Sequence, residues 1–447
     1  MSDPPEMRLG DVLGAMSYAL DLAEGQAAGH ALRACVVAMG LAERLELDAG
    51  ARSELFYAAL LKDVGCSSNA GRVTAMLSAD DFVAKRESKL TDFSRAQGRA
   101  RFGLRVIARD RPLRERVERL VEVGRQRDVN RAFVRLRCER GAQIADGLGF
   151  PPATAAAIYC VDEHWDGSGH PDGRRADQTP QLARIMGLAQ TLEVFTSARG
   201  AQTALAVARR RRGRWFEPEL VDALDADLLT SLPLHGSELL EALCEHEPSE
   251  RVVTADEERV TRIAHAFAEV IDAKSPSTAG HSHAVAALAV AAAERLGREP
   301  DRTLVRAALL HDIGKLGVSN QILDKPGPLT PHEWSHVRRH PTHTNELLRR
   351  VGPFRRLAAT AAAHHERMDG SGYPRGLTAP DLSPDARLIA VADAYEAMTS
   401  DRSYRMAVPP EHAVRELRHD VKAGRLDGDC VEALASFVCR PPAAAQA

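Results

Sequence analysis

Aromatic residues are scarce in this chain, 4% of 447, and no stretch alternates β-branched or aromatic residues with polar ones as half-buried strands do. A sheet-based architecture is therefore not expected. No apolar run approaches the roughly 18 residues that a transmembrane helix needs, so no membrane span is read. Neither sign of charge dominates: 59 Lys and Arg meet 62 Asp and Glu, a net of −3. That balance offers no basic surface for a nucleic-acid polymer or an anionic membrane. The seven cysteines are scattered and never form a CxxC pair, which fits small core residues or free thiols in a reducing cytoplasm. The opening MSDPPEMRLGDV lacks a basic segment followed by an apolar one, so no signal peptide is read.

What the chain does contain is helix. HAVAALAVAAAERLG (283–297) and EERVTRIAHAFAEVIDA (257–273) are rich in Ala, Leu, Glu and Arg, with apolar residues at the i, i+3, i+4, i+7 spacing of a buried helix face. The length exceeds one ordinary domain. An all-α fold of at least two units is expected.

The two halves repeat one another. LLHDIGK (309–315) answers LLKDVGC (60–66), and HHERMDGSGYPRG (364–376) answers VDEHWDGSGHPDG (161–173). In each half 24 positions separate the Asp of the DGSG segment from its partner on the next helix, Asp369 to Asp393 and Asp166 to Gln190. A tandem duplication follows, with one copy over 1–235, a linker over 236–252 and a second copy over 253–440. Asp63 and Asp166 are 103 positions apart where Asp312 and Asp369 are 57 apart, so about 46 residues are inserted in the first copy. That insert holds the Arg-rich amphipathic stretch 100–128, expected to be a solvated helix.

Chemistry concentrates in the second copy. A His-Asp pair alone is weak, as His419 and Asp420 show by having no supporting cluster. His311 and Asp312 are accompanied by His281, His340, His364, His365 and Asp393. Imidazole and carboxylate together suit Fe, Mn, Zn or Ni, and seven such groups exceed what one ion takes from protein. Two divalent ions sharing Asp312 are the economical arrangement. Lys315, four residues after His311, is expected to face the same way on one helix and reach over the cluster.

With AALLHDIGK, ILDKPGPLT, HP, HHERMDGSGYP and VADAYEAMTSDRSYR in this order, the second copy resembles the HD-GYP group of the HD superfamily of metal-dependent phosphohydrolases. The resemblance implies an all-helical phosphodiesterase for cyclic di-GMP or a related cyclic dinucleotide, with a metal-bridging hydroxide as nucleophile; the alternatives are a metal-binding signalling or scaffold protein without turnover and a phosphohydrolase for another nucleotide. Two metal ions, Fe or Mn ahead of Zn or Ni, are the implied cofactors. Asp312 and Lys315 would be catalytic, Lys315 neutralising charge or protonating the leaving oxygen. Tyr373 would stack on guanine or bind phosphate, and Arg402 with Arg405 would clamp phosphate. Glu366 and Asp369 would orient ligands or the loop. Thr344 stands where the family usually has Gly, and Glu396 where it usually has Asp; the ligand set is intact. A homodimer stays open among the partners.

In the first copy only His30 and Asp63 survive from that set. The other five positions are Lys62, Arg137, Val161, Asp162 and Gln190, and Lys315 becomes Cys66. Fixed cations at ligand positions repel a divalent ion by several kcal/mol at intermediate dielectric, on the order of 332/(ε·r). The first copy is expected to bind no metal pair and to serve as a scaffold or regulatory unit.

Overall fold

The computed structural model describes residues 7–93, 95–109, 111–125, 127–230, 237–401 and 405–439. Among these, extended structure is confined to a two-stranded antiparallel ladder, Met7–Arg8 against Thr254–Ala255, and a few isolated bridges. Everything else that is regular is helical, as the composition requires. No helix among the described residues is long and apolar enough to cross a membrane. Arg402 and the C-terminal PPAAAQA lie outside the described residues.

The chain forms two compact units, Met1–Arg259 with Ser319–Gln321, and Val260–Val318 with Ile322–Ala447. In the expected linker, Ser237–His246 is a helix whose Leu239 and Leu243 are buried, so this stretch packs as part of the first unit. The insert is in part the solvated helix expected, for Leu113–Arg125 has no buried residue, and in part packed. It breaks into Ala96–Val106 and Leu113–Arg125. Val106, Ile107 and Ala108 join Leu77 and Ala84 in a small core of their own, with Leu120 and Val123 packed against it. Pro112, which no helix interior tolerates, falls in the break.

In the second unit the helices that matter are His281–Arg295, Arg302–Leu310, His340–Arg350 and Pro384–Thr399. Their starts are legible locally. The Asp301 carboxylate accepts from Leu304 N at 2.9 Å, and Ser383 Oγ accepts from Ala386 N at 3.2 Å with Pro384 at the first helical position. Gly280, at φ 75°, turns the chain into the His281 helix, a left-handed conformation that favours glycine. The first unit has the same device, Gly29 at φ 84° before the His30–Arg44 helix.

Candidate metal centre

The apolar run before His311 buries Leu309 and Leu310 completely and ends the helix at Leu310. His311 and Asp312 follow at its C-terminus, and Ile313–Gly317 tightens to a 3₁₀ turn. The expectation that His311 and Lys315 share one continuous helix is thus corrected: with three residues per turn it is Asp312 and Lys315 that align, and the Lys315 ammonium pairs with Asp312 Oδ2. His281 and His340 each open a helix, His364 and His365 follow the short Ala358–Ala361 helix, and Asp393 sits within Pro384–Thr399.

All seven candidate ligands converge, and Asp312 divides them. Its Oδ2 faces His281 Nε2 and His311 Nε2, each at 3.4 Å. Its Oδ1 faces His340 Nε2 at 3.2 Å and His364 Nε2 at 3.5 Å. Asp393 Oδ1 lies 3.3 Å from His281 Nε2 and 3.8 Å from His311 Nε2. Its Oδ2 is 3.7 Å from His365 Nδ1. Two groups result: His281, His311 and Asp393 on one side, and His340, His364 and His365 on the other.

The imidazoles are prepared to present lone pairs. His311, His340 and His364 donate through Nδ1 to the carbonyl oxygens of Ala308, Val337 and Ala361, three residues earlier in each case, at 2.7, 2.7 and 2.8 Å. Each Nε2 is left as an acceptor. His340 Nε2 and His364 Nε2 then lie 3.0 Å apart with no proton between them, and the buried Asp312 Oδ1 has no hydrogen-bond donor. Lone pairs packed this closely call for a cation, so the residues fit a pair of divalent ions.

The electrostatics of His340, His364 and His365 agree. Burial pushes His340 down to about 4, and burial likewise depresses His364 and His365, keeping these rings neutral. Against the cost of burial, Lys315 and His311 hold the Asp312 carboxyl well below its usual range, and His281 does the same for Asp393. Burial also disfavours a charged His281, but hydrogen bonds to Asp312, Asp393 and Glu396 carry it well above the ordinary histidine value.

Two residues set apart as departures from the family pattern prove structural. Glu396 accepts the His281 Nδ1 proton and is itself held by Ser400 Oγ at 2.7 Å. Thr344 Oγ1 accepts from Gly314 N at 3.0 Å and donates to the His311 carbonyl oxygen at 2.9 Å, tying His340–Arg350 to the His-Asp turn. Around the rim, Tyr373 packs its ring on His365 with centroids 4.8 Å apart, and the Arg338 guanidinium lies 4.6 Å from the Tyr373 centroid. Burial, with Asp393 and Asp312 nearby, raises the Tyr373 phenol, so it remains a donor. Glu366 accepts from Arg375 N at 2.8 Å and Leu377 N at 2.9 Å, holding the loop as expected. Asp369 caps Ser371 in that loop. Arg405 is exposed and donates to the Ala397 carbonyl oxygen, one helical turn beyond Asp393.

The first unit builds the same close approach. A Cβ on Gly314 would meet the His340 carbonyl and Thr344 N, and one on Gly65 would meet the Arg137 carbonyl and Gly141 N. Arg137 therefore stands at the position of His340. His30 Nδ1 pairs with Glu193, as His281 does with Glu396. Beside His30 and Asp63, however, sit cations: Lys62 Nζ pairs with Asp63 and lies 3.1 Å from His30 Nε2. Lys89 Nζ is 3.6 Å from Asp63 and 3.1 Å from Glu24, and Lys85 Nζ is 3.0 Å from Glu24. Arg137 pairs with Asp162. Glu24, Lys85 and Lys89 escaped sequence reasoning because they belong to no motif and Glu24 lies far from both lysines in the sequence.

A helical unit that gathers five histidines and two aspartates around a His-Asp turn is of the metal-dependent HD type, and the chain belongs to the HD domain family. The HD family model matches residues 117–220 and 265–430, covering parts of both units. The chain is 36% identical, over 95% of its length and 94% of the relative's, to 3′3′-cGAMP-specific phosphodiesterase 3 of Vibrio cholerae. It is 45% identical to a cyclic di-GMP phosphodiesterase of Pseudomonas aeruginosa over 31% of this chain and 34% of that one. The crystal structure of a cyclic GMP-AMP-specific phosphodiesterase from V. cholerae matches with a TM-score of 0.65 at 32% identity, over 98% of this chain and 99% of that one.

Proposed function

We propose that this protein is a phosphodiesterase that hydrolyses a cyclic dinucleotide at the second-unit centre. The observation that carries the reading is the division of ligands by the two oxygens of Asp312, which supports a carboxylate-bridged pair of divalent ions, Fe or Mn ahead of Zn or Ni. When bound, such a pair polarises phosphoryl oxygens and makes a water nucleophilic near neutral pH. The chain's own residues do the rest. Glu396 and the three backbone carbonyls aim the imidazoles, Lys315 brings a cation to the edge of the cluster, and the Tyr373 hydroxyl offers a proton to a phosphate oxygen. The full-length likeness to a relative named for 3′3′-cGAMP supports that dinucleotide as the first substrate to test, with cyclic di-GMP beside it.

The first unit, in this reading, is a degenerate copy that needs no metals. Its Lys62, Lys89 and Arg137 neutralise the carboxylates that ions would otherwise balance, and the matched Gly65 and Gly314 approaches support a common origin. The test is hydrolysis of both dinucleotides with Mn²⁺ or Fe²⁺, with metal counted per chain. Wild type should turn over at least one of them and hold two ions. Asp312→Ala should lose turnover and metal, while Asp63→Ala keeps both. Metal-independent turnover, or none on any cyclic dinucleotide, would refute the proposal.

A further inference from the structure

A cavity of about 620 Å³ in the second unit runs from His281, Asp312 and Lys315 to Pro328, Leu329 and Trp334, a size within the ~300–1,000 Å³ of small-molecule sites. One end is charged by the ligand cluster. The other carries Pro328 and Leu329 beside Lys325, and there Trp334 keeps 48% of its surface exposed. An indole left open at a cavity wall is a large apolar surface waiting for a planar partner.

Of the two roles expected of Tyr373, base stacking and phosphate binding, its packing favours the second. Its ring already lies against His365, with the Arg338 guanidinium also over it. The hydroxyl is what it has left to offer. Trp334 and Arg338 are four residues apart at the end of the Pro331–Val337 helix, joined by the Arg338 N to Trp334 carbonyl bond at 2.9 Å, so they project from the same face. That helix is held in place. Thr330 and Glu333 cap each other at its start, and Lys325 Nζ, from the adjoining KPGP loop, bonds Glu333 at 2.7 Å.

From this placement we infer that Trp334 is the stacking platform for one purine of the cyclic dinucleotide, while Arg338 fixes the Tyr373 ring so that its hydroxyl addresses the phosphate. The inference rests on the cyclic-dinucleotide reading above. Every base has a π-face, so the platform holds guanine and adenine alike and contributes to affinity more than to discrimination between them.

The test compares wild type, Trp334→Ala and Trp334→Phe on 3′3′-cyclic GMP-AMP, cyclic di-GMP and bis(p-nitrophenyl) phosphate, the last a phosphodiester with no nucleobase. Trp334→Ala should raise KM for both dinucleotides about 10- to 100-fold with a much smaller change in kcat. Its kcat/KM should fall at least about tenfold further on the dinucleotides than on the nitrophenyl ester, and Trp334→Phe should recover most of the loss. An unchanged KM in Trp334→Ala overturns the inference alone, as does an equal loss on all three substrates. A wild type that cleaves the nitrophenyl ester but neither dinucleotide overturns the functional reading and this inference together.

Discussion

Gly314→Ala is the sharpest perturbation of the centre that replaces no candidate ligand. The added Cβ would sit 2.8 Å from Thr344 N, 2.9 Å from the His340 carbonyl carbon and closer still to its oxygen. Ordinary contact begins near 3.4 Å, and every atom met is backbone, so no side chain can swing aside. The His340–Arg350 helix must retreat by about 1 Å or more, taking His340 with it and stretching both Thr344 hydrogen bonds. Overpacking typically costs about 1–3 kcal/mol and each of the two weakened hydrogen bonds about 1 kcal/mol, so a loss of roughly 3–5 kcal/mol is expected. A displacement on the order of 1 Å costs about 10²-fold in rate, and on the two-ion proposal the ion that His340, His364 and His365 would hold should be lost first. The assay pairs initial rates with metal content and thermal denaturation. Gly65→Ala is the control, since its Cβ would be 2.7 Å from Gly141 N and against the Arg137 carbonyl; it should destabilise the first unit while the folded enzyme retains rate and metal. If Gly314→Ala keeps the wild-type rate and metal content, the close approach does not position His340 and the reasoning fails.

Two further outcomes follow from buried charges. Glu396→Ala removes the acceptor that orients His281, so metal affinity should fall about 10- to 100-fold; a metal titration indistinguishable from wild type would deny Glu396 its orienting part. Glu24 is buried between Lys85 and Lys89, which against the cost of burial hold its carboxyl at about 2 rather than 4.5. A folded value below the unfolded one adds stability that is complete above about pH 4.5 and disappears as pH falls towards 2, on the order of 3 kcal/mol. Glu24→Gln should therefore lower the urea midpoint at neutral pH and flatten its fall between pH 4.5 and 2. An acid limb as steep as wild type would count against it.

The candidate ligands were all legible because metal chemistry admits few residue types and because they recur beside Gly-Pro punctuation and apolar helix stretches. The partners of those ligands were less so. Thr344 and Glu396 looked like departures from a pattern, since what each bonds lies 33 residues away in one case and 115 in the other. The His311–Lys315 spacing misled because periodicity does not announce where an α-helix tightens to 3₁₀. Tyr373 was noticed for its motif and Trp334 was not, although the packing leaves the indole open and the phenol ring covered.

By itself, then, the order of residues determined the helical class and the identity of the candidate ligands, and it supplied the paired segments on which a duplication is proposed. These depend on side-chain chemistry and on spacing within one element. Only the tertiary structure decided that Asp312 separates two ligand groups, that Lys89 joins Lys62 beside Asp63 while Lys85 and Lys89 hold Glu24, and that the Trp334 indole stays exposed while Tyr373 packs on His365. Those are contacts between segments distant in the chain, and burial, which sets their strength and their protonation, exists only once the helices have packed.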